Sequence, residues 1–382
     1  LISWPAADEF RRTVPRLAGS DPRPQTTLPL TSPWRGLALA AGPEPIATTT
    51  WPTDLAAPCE LADTSWIRPG RASWSWLSTP ERFDREVFEQ FLDFGAELGW
   101  EYSLLDAGWW NLPLDELTRA AAAQNVRVFL WGDSTEHYDP PDQARRMAEA
   151  QAAGVAGFKI DFWCSDKPYA YETMQNLLRR AAEHELCIVL HGCTLPRGWQ
   201  RTWPNLLSAE AVLGAETYHF EADFGARSPS HHAILPFTRN AVAPMDYTPT
   251  PLDSSPWPHV ATAAHQFALP IVQTSGLMCL GGQPAWYAQL PAGARDLLAA
   301  LPSAWDESRC LVGVPGELVV MARRRGTHWW LAALNGTEQP REVALDLTEL
   351  GLAGGPATIL RDGPAGAAEL VREPLGATAT IR

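Results

Sequence analysis

Short apolar runs of β type alternate with helical segments from about Ser65 onward, the pattern of a parallel βα array. Eight such runs predict strands at Ala72–Trp76, Tyr102–Asp106, Val126–Trp131, Gly157–Phe162, Cys187–His191, Leu207–Val212, Ala243–Tyr247 and Leu277–Leu280. Between them, apolar positions at helical spacing predict helices at Asp84–Glu97, Leu114–Gln124, Pro141–Ala153, Pro168–Glu185 and Pro258–Phe267. Met174, Leu177, Leu178 and Ala181 share one face of the fourth helix, which is expected to pack on the strands. The expected fold is therefore α/β, a (β/α)8 TIM barrel over residues 65–310. After Leu311 the helical signal stops, and Leu318–Ala322, Trp329–Leu334 and Val343–Leu347 read as strands parted by Gly-rich turns. They predict a small C-terminal all-β sandwich over residues 311–382. Residues 1 to about 55 are rich in Pro and Thr, with one strand-like run at Trp34–Ala40, and read as the tail of something larger.

Composition narrows the function. Acidic residues (44) outnumber Lys and Arg (30), which argues against nucleic acid or an anionic membrane as a partner and favours a neutral ligand. Eighteen Trp give mild support to sugar binding, since indole faces stack on the C–H faces of sugar rings. The six cysteines form no C-x-x-C pair and read as reduced thiols. No apolar run has the length of a membrane span, and no basic-then-apolar leader follows Leu1. A soluble protein of bacterial cytoplasmic or periplasmic type is expected, its compartment and oligomeric state left open.

In a βα barrel the chemistry sits at the C-terminal ends of the strands, and nearly every predicted strand ends in a charge: Asp106, Asp133, Asp161, His191, Glu210 and Asp246. Lys159 and Asp161 are two apart, so both project from the same strand face, where a cation favours the ionised carboxylate. A buried pair that merely ties the barrel together is the plainer alternative. Glycosidic cleavage needs two carboxyl groups: Asp161 supplies the first, and Glu216 or Glu210 the second. Either glutamate alone reads equally as a solvated loop charge. Asp106 and Lys159 suit hydrogen bonds to sugar hydroxyls, with Trp109 or Trp110 as a stacking wall. His191 is either a hydroxyl contact or a satisfied strand-end histidine.

These residues resemble glycoside hydrolase family 97, a family of α-glucosidases and α-galactosidases. The matching stretches are Pro29 to Arg35, Asp63 to Gly70, Leu104 to Trp109, Lys159 to Phe162, His191-Gly192 followed by Arg201 to Asn205, Glu210 to Glu216, and Pro244 to Pro249. They run in order from about residue 25 to 285, and the ordered series is specific where each motif alone is weak. The resemblance implies that Asp161 is the nucleophile of a retaining, double-displacement enzyme, that Glu216 is the acid/base, and that Glu210 is a calcium ligand. It also implies an N-terminal β domain of which residues 1–64 are a remnant and linker. The activity it implies is an exo-acting α-galactosidase on an oligosaccharide or other α-glycoside. The rivals are an inverting α-glucosidase and a non-catalytic sugar-binding remnant.

Overall fold

The computed structural model describes residues 28–29, 36–80, 82–249, 256–352, 354–364, 367–376 and 378–381. Seven parallel strands form one sheet: β1 (Gly70–Trp74), β2 (Tyr102–Leu105), β3 (Arg127–Asp133), β4 (Gly157–Asp161), β5 (Cys187–Leu190), β6 (Leu206–Ala209) and β7 (Leu277–Leu280). Their order is β6-β5-β4-β3-β2-β1-β7. The gap between β6 and β7 is filled by the segment around Met245, which makes a single parallel bridge to Ala209. The Asp246 N–H donates to the Ala209 carbonyl at 3.1 Å, and the Met245 N–H to Thr274 at 2.8 Å. The chain thus folds as a nearly closed TIM barrel.

The run Ala243–Tyr247, expected as a full strand, is corrected to this one bridge. Pro244 has no N–H to give to a ladder, which cuts the pairing short. The expected helix at 258–267 is likewise displaced, to Ala263–Val272, because the Thr262 side chain caps it by accepting the His265 N–H. In the run Trp34–Ala40, residues 36–40 carry no strand and are exposed, while 34 and 35 lie outside the described residues.

The helices Arg85–Glu97, Leu114–Ala123, Pro140–Ala152 and Pro168–Glu183 lie where the periodicity places them. Met174, Leu177, Leu178 and Ala181 are all fully buried against the β4–β5 side, beside Ile160, Ile188 and Leu190. Parallel strands covered on both faces need such continuous apolar runs.

Beyond the barrel the chain is all-β. An antiparallel sheet of order β10-β9-β8 joins β8 (Glu307–Val314), β9 (Leu318–Arg325) and β10 (His328–Asn335). Two further antiparallel pairs follow, β11 (Val343–Asp346) with β14 (Thr378–Ile381), and β12 (Pro356–Asp362) with β13 (Ala368–Pro374). Alternation along β9 sends Val319 and Met321 into the core shared with Leu269 and Val272, and Val320 and Ala322 toward Leu345, Leu347 and Leu350. Arg323 crosses the same junction, its Nη2 donating to the Val272 carbonyl at 2.8 Å.

Among the described residues no helix is long and apolar enough to cross a membrane. The six cysteines are free thiols; Cys187 and Cys279 are buried in strands, whereas Cys59 and Cys164 are exposed.

Candidate active site

Parallel strands in register deliver their last residues to one rim, and here that rim is crowded with charge. Asp161 ends β4 opposite Asp133 of β3, His191 follows β5, and Glu210 follows β6. The chain turns sharply just past these ends: Phe162, Cys164, Gly192, Ala211 and Thr248 all have positive φ. Such turns are uncommon for residues with a side chain and cluster where a site dictates the backbone. Gly192 has a specific reason for its identity, since a Cβ there would sit 2.7 Å from Asp161 Oδ1 and 2.9 Å from the Phe162 nitrogen.

His191 organises the carboxylates. Its Nδ1 lies 3.3 Å from Asp161 Oδ1, while its Nε2 lies 3.2 Å from Glu216 Oε1 and 3.5 Å from Glu210 Oε1. Burial opposes charge on this ring, but Glu210, Glu216 and Asp161 together hold its pKa well above the ordinary value. Asp161 is buried, which alone would raise its pKa; the cationic His191, with Lys159 and the Phe162 amide, overrides this and keeps it ionised below the usual range. The Trp131 indole N–H donates to Asp161 Oδ2 at 3.2 Å and aims the carboxylate. Burial pushes Glu210 up to about 7, with Glu216 and Asp161 adding repulsion and His191 opposing it. Its Oε2 accepts the Gly192 N–H at 2.8 Å.

Lys159 stands on the barrel floor. Its Nζ is fully buried, 3.2 Å from Asp246 Oδ2 and 3.8 Å from Glu216 Oε1, and rides 3.7 Å above the Trp74 ring. Neither Lys159 Nζ nor Asp246 Oδ2 makes a hydrogen bond among the described residues. Asp106 accepts the Trp74 indole N–H at 2.7 Å and the Ala107 amide at 2.7 Å, yet burial raises its pKa to about 6. Trp109 donates its indole N–H to the Trp131 carbonyl at 2.8 Å and begins an aromatic series through Trp110 and Trp131 to Phe162. Trp110 is the more open of the first two, 56% exposed.

The structure therefore gathers Asp106, Lys159, Asp161, His191, Glu210 and Glu216 into one cluster, to which Trp109 is joined only through Trp131. Asp133 turns away and caps the next turn, accepting the Thr135 N–H at 2.8 Å. Three members of the cluster escaped the expected site: Asp246, Trp74 and Trp131. Asp246 was visible as a strand-end charge, and a buried lysine beside Asp161 needed a further anion; no such signal distinguished the two tryptophans. His191, Glu210 and Glu216 also form a group able to hold a metal ion, with one ligand atom from each lying within 4.8 Å of the others. A cavity of about 630 Å³ bounded by Ser78, Thr79, Arg82 and Gln283 is separate and contains none of these carboxylates.

The known families decide what this rim belongs to. The model of glycoside hydrolase 97 matches residues 74–212, and that of the glycosyl-hydrolase 97 C-terminal, oligomerisation region matches residues 304–374. This chain belongs to glycoside hydrolase family 97. Within family 97 it is 33% identical over 363 residues to a probable retaining alpha-galactosidase of Streptomyces bingchenggensis (strain BCW-1), covering 90% of this chain and 55% of the relative. It is 30% identical over 367 residues to a retaining alpha-galactosidase of Bacteroides thetaiotaomicron, covering 88% and 54%. A solved beta-arabinopyranosidase superposes with a TM-score of 0.84 at 29% identity, over 89% of this chain and 58% of that one. The chain thus spans about half the length of the curated relatives it matches.

Proposed function

We propose that the chain is a retaining, exo-acting α-glycosidase that removes terminal α-linked galactose. One observation carries the reading: Asp161, held ionised, and Glu216 lie on the two nitrogens of one buried imidazole at a barrel rim. In the first step Asp161 attacks the anomeric carbon, the glycosidic C–O bond breaks, and Glu216 gives its proton to the departing oxygen. In the second, Glu216 takes a proton from water, whose oxygen displaces Asp161 and releases the sugar with its anomeric configuration retained. Asp106, Lys159 and His191 bind ring hydroxyls, and Asp246 joins them. The Lys159–Asp246 ion pair, 3.2 Å apart, keeps donor and acceptor capacity that suits hydroxyl groups, which donate and accept at once. Trp109 backs the stacking wall.

Glu210 would hold calcium, as a cluster with excess negative charge calls for a cation; further oxygen ligands would complete its shell and leave Glu216 free to carry its proton. When bound, the ion would fix the Glu210 carboxylate and, from beside Glu216, help set the acidity of the proton donor. Chelation is expected to lower both the activity and the melting temperature, with calcium restoring them. The region matching the C-terminal oligomerisation model supports self-association as the second partnership, checked by light scattering.

The decisive experiment is Asp161→Gly assayed with an aryl α-galactoside and azide. Recovery as a β-galactosyl azide is the expected result. An inverted first product from the unaltered chain would instead favour the inverting α-glucosidase, and binding without turnover a sugar-binding remnant. A second substrate merits the same assay, because a β-L-arabinopyranoside has the ring stereochemistry of an α-galactoside without its hydroxymethyl group, and the beta-arabinopyranosidase is structurally similar.

A further inference from the structure

Glu216 stands at the N-terminus of the single-turn helix Thr217–Phe220 in helical backbone geometry. Phe220, four residues on, therefore shares its face. Phe220 is 64% exposed. Its ring packs against Trp76 with centroids 6.2 Å apart, and Trp76 stacks on Trp74 at 5.8 Å. Trp74 in turn lies under Lys159, which sits 3.8 Å from Glu216. These contacts run from Phe220 through Trp76, Trp74 and Lys159 to Glu216, and the helix joins the two ends along the chain. The helix is pinned in place, because His219 Nε2 lies 2.8 Å from the Leu77 carbonyl on the loop that carries Trp76.

We infer that Phe220 and Trp76 form the platform for the leaving group, selecting α-glycosides whose aglycone presents a flat, apolar-faced ring. This rests on the reading of Glu216 as proton donor. A proton donor must reach the glycosidic oxygen within about 3 Å, so whatever the oxygen carries begins beside Glu216. One helical turn, about 5.4 Å, takes the face from the carboxyl to the Phe220 ring, about the breadth of the next ring of the substrate. Two kinds of group share the required chemistry: an aryl ring and the C–H face of a second hexose.

The test measures equilibrium binding of methyl α-galactoside, phenyl α-galactoside and a galactosyl-α-1,6-hexose disaccharide to the chain in an Asp161→Asn background, which prevents turnover. One or both ring-bearing ligands are expected to bind roughly three- to tenfold more tightly than the methyl glycoside, a stacking contribution of the usual size. That preference should vanish in Phe220→Ala, weaken in Trp76→Ala and survive in Phe220→Tyr. The ligand whose affinity falls identifies the occupant as aryl or sugar. Absence of any preference in the parent, or its persistence in Phe220→Ala, overturns the inference. If the unaltered chain cleaves none of the three ligands while the Phe220-dependent preference holds, the hydrolytic reading falls and the platform stands.

Discussion

The two ends of the barrel treat buried charge in opposite ways. At the N-terminal end, Arg71 at the start of β1 is fully engaged: its Nε and Nη2 donate to the Glu101 carboxylate at 3.0 and 2.7 Å, and its Nη groups to the carbonyls of Ala299 and Gly99 at 2.6 and 2.9 Å. Burial would raise the Glu101 pKa, but Arg71 lowers it overall. At the C-terminal end, Lys159 and Asp246 face each other at 3.2 Å with neither atom hydrogen-bonded, and Asp161, Glu210 and Glu216 crowd a single histidine. A satisfied pair stabilises and does nothing else; groups left with unused donors and acceptors in a buried cluster are costly unless a ligand completes them.

The largest effect should come from Asp161→Asn, with kcat/KM on an aryl α-galactoside falling roughly a thousandfold or more and the melting temperature unchanged or raised. Retained activity would erase the distinction between the two ends. Lys159→Met should follow, because it strands Asp246 in the interior: a stability loss of about 3–5 kcal/mol by denaturant titration. Adding Asp246→Leu should restore most of that stability without restoring activity. Gly192→Ala forces a methyl onto the Asp161 carboxylate, and kcat should fall roughly tenfold to a hundredfold with modest loss of stability. At the other end, Glu101→Gln should cost about 1–3 kcal/mol, toward the lower figure because Glu101 is partly exposed, and leave kcat/KM unchanged.

A further effect, read through pH, concerns three histidines held in the interior. Burial depresses His137 to about 3, His265 to about 4, and His232 well below the ordinary value. The unfolded chain takes up these protons first, so their contribution is complete above about pH 6.5 and is lost as pH falls toward the folded values, with a limiting slope of about 1.4 kcal/mol per unit for each histidine. Melting temperatures from pH 7 to pH 4 should fall less steeply in His265→Gln than in the parent.

Much of this was legible along the chain. Lys159, Asp161 and His191 announce themselves as polar residues directly after apolar runs, and the helix carrying Met174 and Leu178 follows from its period alone. Trp74 and Trp131 were not legible, because a tryptophan in an apolar strand has the same local pattern whether its N–H holds a carboxylate or only a carbonyl. The truncated strand at Met245 depended on Pro244, whose effect becomes definite only once the neighbours β6 and β7 fix the ladder it interrupts.

By itself the sequence determined which residues could be buried, which strands would run parallel, and that a row of charges would stand at one end of them. Those follow from period and chain direction, which are local. Only the tertiary structure decided that Lys159 pairs with Asp246 rather than Asp161, that His191 bridges Asp161 and Glu216, and that Phe220 joins Trp76. Each of these joins residues from separate βα units, and only closing the sheet on itself brings them within a few ångströms.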